Sequence, residues 1–305
     1  MEITDTVSVM RRGEMTNTVK TADTSPAALA EMMVGRKVLL QVDKTQAQPG
    51  EVVLSVRDLR VTRGGVTRLK GVSFDIRRGE ILGIAGVAGN GQTELLEVLG
   101  GMIAASGGSV SLFGQPLDIT GTAANGQTRR ARGIGHVPED RQTEGLIMPF
   151  EAWENVAFGY HFDPKYNSGP LMDNAAIRAD CADKMARYDV RPPNPRLPAR
   201  NFSGGNQQKI VVAREMDRAP DLLLVGQPTR GVDIGAIEFI HKQIIALRDQ
   251  GKAILLVSVE LDEIMGLSDR IAVMFDGQIM GERLPQDTDQ NALGLLMAGV
   301  TEGAA

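Results

Sequence analysis

The chain of 305 residues is predicted to fold as α/β, on a parallel sheet. Three observations predict this. Short, wholly apolar runs such as Ile81–Ala85 and 253–259 have the length of strands buried on both faces. These runs alternate with segments of helical length and composition, the order that yields a sheet covered on two sides. Hydrophobic residues make up 42% of the chain and charged residues 23%, so a sizeable core is available and the composition is not that of a disordered chain.

Taken in order, 52–56 and 72–76 read as strands, the second closed by Arg77-Arg78-Gly79. Ile81–Ala85 is a strand ending in glycines, and 93–99 continues as a helix. Polar, Pro-rich and helical stretches fill about 140–200; Met148, Pro149, Phe150 and Trp153 cluster there, either as a docking patch or as the small core of that lobe. Then follow a helix (206–217), a buried strand (221–225), a helix (236–249), the strand Ala253–Ser258, a helix (260–266) and the strand Arg270–Phe275.

Residues 1–35 match residues 265–299 without a gap, at an offset of 264. Identical pairs include Val9/Val273, Met10/Met274, Gly13/Gly277, Asp23/Asp287 and Gly35/Gly299. Such self-similarity marks repeated units. It predicts that 1–35 is the C-terminal tail of a preceding homologous domain, 36–51 a linker (most loop-like at Gln46-Ala47-Gln48-Pro49-Gly50), 52–300 a complete second copy and 301–305 a short tail. The chain is then expected to be part of a longer tandem protein.

A net charge of −5 argues against a nucleic-acid partner, which usually needs a basic face. No stretch approaches 18 uncharged apolar residues, so no membrane-spanning helix is expected. Cys181, the single cysteine, excludes an intrachain disulfide, and His136, His161 and His241 lack metal-ligand spacing.

Chemistry concentrates in two glycine-rich stretches. Residues 86–93 (Gly-Val-Ala-Gly-Asn-Gly-Gln-Thr) follow a strand and open a helix, the context of a phosphate-binding loop. Backbone amides and a helix N-terminus there offer partial positive charge to phosphates. The nucleotide contacts are expected from Gly86, Gly89, Asn90, Gly91, Gln92 and Thr93, although Gln92 stands where the pattern has Lys. By itself the octet also fits a structural strand–helix turn. Residues 202–209 (Phe-Ser-Gly-Gly-Asn-Gln-Gln-Lys) start another helix; Ser203, Gly204, Gly205 and Asn206 could present a hydroxyl and amides to an oxyanion, an N-capped helix being the plain alternative.

Together, in this order, the two stretches resemble the phosphate loop and signature motif of ATP-binding cassette (ABC) proteins. The resemblance covers about 52–300. It implies a P-loop NTPase-type parallel core with an antiparallel β subdomain and a helical lobe at about 140–200. It also implies ATP and Mg²⁺ as ligands, with Thr93 as the metal-side hydroxyl. In that family the strand 221–225 would end in Asp-Glu before Pro-Thr; here Gly226 and Gln227 stand in those places. The Q-loop glutamine is Glu139, the switch histidine falls at Val259, and 54–73 contains no aromatic residue to stack on adenine. Asp233, in Gly231-Val232-Asp233, resembles the D-loop.

The resemblance is strongest to tandem importers of simple sugars and nucleosides, and 89–94 with 227–233 look most like the nucleoside-uptake branch. It implies a domain that binds ATP at its own degenerate site without turning it over, with Mg²⁺ weak or absent there, and lends its signature to a hydrolysing site in a partner domain. Implied partners are a homologous first ABC domain, integral-membrane permease subunits and, indirectly, an extracytoplasmic solute-binding protein; no nucleic acid is expected. The implied location is peripheral, at the cytoplasmic face of the plasma membrane. Two other readings stay open: a non-transport ABC ATPase, and a coupling module that binds no nucleotide.

Overall fold

A computed structural model describes residues 3–11, 13–35, 44–121 and 124–300. Residues 36–43 of the expected linker and the tail 301–305 lie outside the described residues.

The chain opens with a hairpin, β1 (Thr6–Arg11) and β2 (Glu14–Lys20), followed by helix α1 (Pro26–Val34). Strands β3 (Val52–Arg63) and β4 (Val66–Arg77) form a long antiparallel pair. Next come β5 (Ile81–Ala85), α2 (Gln92–Leu99), β6 (Gly107–Leu112), β7 (Gln115–Leu117), α3 (Gly126–Ala131) and β8 (Ile134–Val137). The lobe carries α4 (Ala152–Ala157), a minimal hairpin of β9 (Asn167–Ser168) and β10 (Leu171–Met172), and α5 (Asn174–Arg187). The remainder is α6 (Gly204–Met216), β11 (Leu222–Gly226), α7 (Ile234–Asp249), β12 (Ala253–Ser258), α8 (Leu261–Leu267), β13 (Arg270–Phe275), β14 (Gln278–Arg283) and α9 (Gln290–Met297).

The core is a six-stranded sheet of order β14-β13-β5-β12-β11-β8, parallel except for β14. Its central strands β5, β11 and β12 are almost wholly apolar because alternate residues serve two different cores. Ile81, Leu223, Val225, Ile254 and Leu256 face one layer, packed against α6, α7 and the lobe. Leu82, Ile84, Leu222, Leu224 and Leu255 face the other, formed by α2 and the sheet β4-β3-β6-β7. Helices therefore cover one face, while the second face is covered largely by an antiparallel sheet. Arg270 joins the layers: its guanidinium reaches Glu80 at 2.8 Å, Glu282 at 2.7 Å and the Asp75 carbonyl at 2.6 Å.

The lobe expected to be helical carries two α-helices, α4 of 6 residues and α5 of 14, among longer loops. Of the apolar cluster read there, Met148 and Trp153 pack against the core and Phe150 is 41% exposed. Phe158 and Phe162 join Phe150 on the surface.

The repeat recurs in three dimensions. Hairpin β1–β2 has its bulge between Val9 and Met10, and β13–β14 has its own between Val273 and Met274. Ser25 caps α1 by accepting from the Ala28 amide, as Asp289 caps α9 by accepting from Ala292. Gly35 and Gly299 close the two helices at φ 82° and 81°. One difference separates the copies. β13 pairs with β5 as well as β14, whereas β1 has β2 alone among the described residues.

The turn glycines show the same contrast. Gly277 lies at φ +74°, and a Cβ there would come within 2.3 Å of the Arg68 carbonyl oxygen; Gly13 lies at φ +85° with nothing nearby. Gly13→Ala should therefore cost about 1 kcal/mol of backbone strain. Gly277→Ala should cost about 2–4 kcal/mol, since overpacking adds to that strain. Urea unfolding followed by circular dichroism checks the ranking, and equal losses would contradict it.

Candidate functional site

The carboxyl ends of β5, β8, β11 and β12 open together onto a cleft of about 1530 Å³. Its walls include Gly89, Gln92, Thr93, Glu139, Gln227 and Val259, residues brought together from four separate loops. This is the crevice where open α/β sheets bind ligands.

The phosphate loop leaves β5 through Gly86 and enters α2 through Gly91. Gly89 and Gly91 adopt φ +91° and +106°, and a Cβ on Gly91 would press on Leu69 and the Arg68 carbonyl. These positions need glycine for both conformation and space. Gln92 does not reach into the cleft as a free amide. Its Nε2 donates to the Val87 carbonyl at 3.2 Å, strapping the loop to itself, and lies where a Gly86 side chain would begin. Its Oε1 is buried without a hydrogen-bond partner among the described residues. Asn90 serves the turn after β13: its Oδ1 accepts from the Asp276 amide and its carbonyl from the Gly277 amide.

Thr93, in the first turn of α2, donates its hydroxyl to Glu139 Oε2 at 2.6 Å. Glu139 lies one residue beyond the end of β8, after Pro138, so the bond ties the phosphate loop to the loop that follows β8. Nearby carboxyls make the field negative. Burial pushes the Glu97 and Glu144 carboxyls upward, and Glu139 adds to the effect on both. Arg141 does not neutralise Glu139. Its guanidinium donates to the Arg230 carbonyl at 2.6 Å and the Gly231 carbonyl at 3.3 Å, joining Q-loop to D-loop.

Gln227 sits in the left-handed region, at φ 45°. Its amide donates to Val257 and its side-chain Oε1 accepts from the Val259 amide at 3.3 Å. The side chain thus holds the ends of β11 and β12 together. It can orient water, but it cannot accept a proton as a carboxylate would. Gly226 offers no side chain, and Val259, 39% exposed, cannot hydrogen-bond through its own.

The signature helix is differently equipped. Ser203 is the N-cap residue of α6, yet its side chain makes no cap bond; Asn206 Nδ2 donates to its hydroxyl oxygen at 2.9 Å. The hydroxyl proton is thereby left free to donate outward. Asn206 is itself fixed by the Arg191 amide at 2.7 Å. A Cβ at Gly204 would meet Arg141 at 2.7 Å and the Gly231 carbonyl at 2.9 Å; one at Gly205 would meet Asp233 at 2.8 Å. Gly204 therefore packs on the Gly231 backbone and Gly205 on the Asp233 side chain, which also caps α7 by accepting from the Ala236 amide.

The residues fit a nucleoside triphosphate with Mg²⁺ in part. The glycine cradle, the helix N-terminus, the Thr93 hydroxyl and the Glu139 carboxylate suit such a ligand. A lysine for the phosphates and a carboxylate base for water are missing from their expected places. Sequence reasoning missed Arg141 as the link between the loops after β8 and β11, and Asn206 carried no sign of its hold on Ser203 beyond a spacing of three.

The chain is similar to known proteins in sequence and in fold. Residues 69–230 match the family model described as ABC transporter. The chain is 45% identical over 298 residues to the nucleoside import ATP-binding protein NupA of Lactococcus lactis subsp. cremoris, covering 97% of this chain and 58% of that protein. It is 44% identical to the guanosine import ATP-binding protein NupO of Bacillus subtilis (99% and 59%). It is 38% identical to the ribose import ATP-binding protein RbsA 1 of Rubrobacter xylanophilus (98% and 58%). The chain thus spans somewhat over half the length of these relatives. In fold it resembles a dimeric bacterial ABC transporter cassette, with TM-score 0.66, 23% identity and coverage of 77% of this chain and 100% of the other. With its parallel core sheet, antiparallel β subdomain and matched phosphate-loop region, the chain belongs to the ABC transporter family.

Proposed function

We propose that the chain is the second nucleotide-binding half of a tandem ATP-binding subunit that energises import of nucleosides or simple sugars. The names of the relatives support that solute class. The tandem reading is supported by the repeat at offset 264, by matching bulges and caps, and by β1, whose copy β13 pairs with a phosphate-loop strand. In that reading 1–35 completes a first cassette, 36–51 links the two and 52–300 is the second. The protein sits peripherally at the cytoplasmic membrane face, and Phe150, Phe158 and Phe162 on the lobe meet permease subunits.

One observation carries the mechanism: the two functional faces of this domain are unequal. The signature face retains a free Ser203 hydroxyl and amide donors packed on the D-loop. The phosphate-loop face has Gln92, Gly226, Gln227 and Val259 where charge and proton transfer are needed. Losing a charge-assisted contact at Gln92 costs about 1.5–3 kcal/mol of binding. Losing a positioned base costs about 10²–10⁴ in rate. This domain holds ATP at its own loop and completes the hydrolysing site of its partner through Ser203, Gly204 and Gly205. Gln92, folded onto Val87, specifically favours one rival, a coupling module without nucleotide.

Purified chain should bind an ATP analogue yet show almost no ATPase activity. Robust Mg²⁺-dependent turnover that disappears in Thr93→Ala would refute the assignment, and no binding at all would favour the rival. In the tandem protein with its permease, Gly205→Asp should abolish turnover, since losing oxyanion donors costs about 10²–10³ in rate. Thr93→Ala should leave turnover close to normal. Steady-state ATPase and uptake measurements compare the two, and the reverse ranking would exchange the roles of the sites.

A further inference from the structure

Helices α1 and α9 occupy equivalent places in the repeat, so each residue of α1 has a counterpart 264 positions on in α9. Their burial differs. On α9, Leu293, Leu296 and Met297 are buried in the core, and the helix packs on β13. Their counterparts on α1 are less covered: Leu29 and Met32 are half-buried and Met33 is 51% exposed. The other face reverses the order. Ala30 is buried, whereas at its counterpart Gly294 a Cβ would meet nothing within 4 Å beyond its own helix, and the adjacent Leu295 is 56% exposed.

The hairpin does not explain the burial of Ala30, because β13, the counterpart of β1, leaves position 294 open. Helix α1 has a further neighbour, α7, on which it packs. Beyond the linker the chain returns to the same helix, where Arg248 donates to the Thr45 carbonyl at 3.1 Å.

We propose that the face of α9 carrying Gly294 and Leu295 is a docking surface for the helix of the first cassette that corresponds to α7. The proposal rests on the tandem reading above. In that reading α1 belongs to the first cassette and α7 to the second, so this chain displays one half of the contact. Homologous domains related by a pseudo-twofold axis make each contact twice, residue i to j and j to i. The tails are thus exchanged, each bracing the other cassette's α7. Gly294, with no Cβ, lets a helix backbone approach closely, and Leu295 gains apolar cover. Neither the phosphate loop nor the signature takes part, so the brace needs no nucleotide.

The test uses the full tandem protein in nucleotide-free buffer, with a protease site inserted after Gln46 so that the halves can be parted once folded. Sedimentation velocity reports whether they stay together. Wild-type halves should remain associated, and Gly294→Trp or Leu295→Glu should weaken the association about tenfold or more, the loss of one well-buried contact. In the 305-residue chain the same substitutions should leave the thermal melt unchanged, since neither position is packed within this domain. Should Gly294→Trp lower that melt, Leu295→Glu decides. A photo-crosslinker at 295 in the tandem protein with its permease should capture the first cassette's counterpart of α7. Undiminished association in both variants, wild-type halves that part on cleavage, or capture of permease peptides alone overturns the docking surface and leaves the tandem reading standing. A natural protein whose intact mass leaves no room for a preceding cassette overturns both.

Discussion

Burial of both faces of β5, β11 and β12 moves polar groups from these strands to their ends. Buried polar atoms without partners are costly, so apolar side chains alternate between two cores and polar chemistry waits for the loops. Four parallel neighbours, β5, β12, β11 and β8, deliver their loops to one edge. The phosphate loop, Gln227, Val259 and Glu139 meet there because the sheet allows them nowhere else.

Within that edge, the departures from the family pattern interlock. Gln92 binds Val87, Gln227 binds Val259, and Glu139 binds Thr93 across the place of an absent side chain at 226. The signature side is organised for presentation instead. Asn206 satisfies Ser203 from within the helix, and Arg141 draws the Q-loop and D-loop together behind it. One face is thus strapped by its own side chains, and the other presents a hydroxyl at the start of α6.

Much of this was legible in sequence. Ile81–Ala85, Ala253–Ser258 and Arg270–Phe275 are found with their predicted bounds, because strands buried on both faces are read directly from apolar runs. The pair β3–β4 was read only at its apolar ends, 52–56 and 72–76; the middle, where buried Leu59 and Val61 alternate with exposed Asp58, Arg60 and Thr62, was missed. Strands β6 and β8 were not read at all. Gly-Gly-Ser and Ile-Gly-His carry little strand signal, and partners distant in sequence pair them. At the site, the missing charges could be read from motif order. What fills their places could not, since Glu139 lies 46 residues from Thr93 and meets Gly226 only through the fold.

The crowding at Gly226 has a consequence for substitution. A side chain at that position meets the stem of Glu139, so the two positions cannot be varied independently. Steric exclusion between neighbouring strand ends makes residues 139 and 226 epistatic: the effect of a change at one depends on what stands at the other.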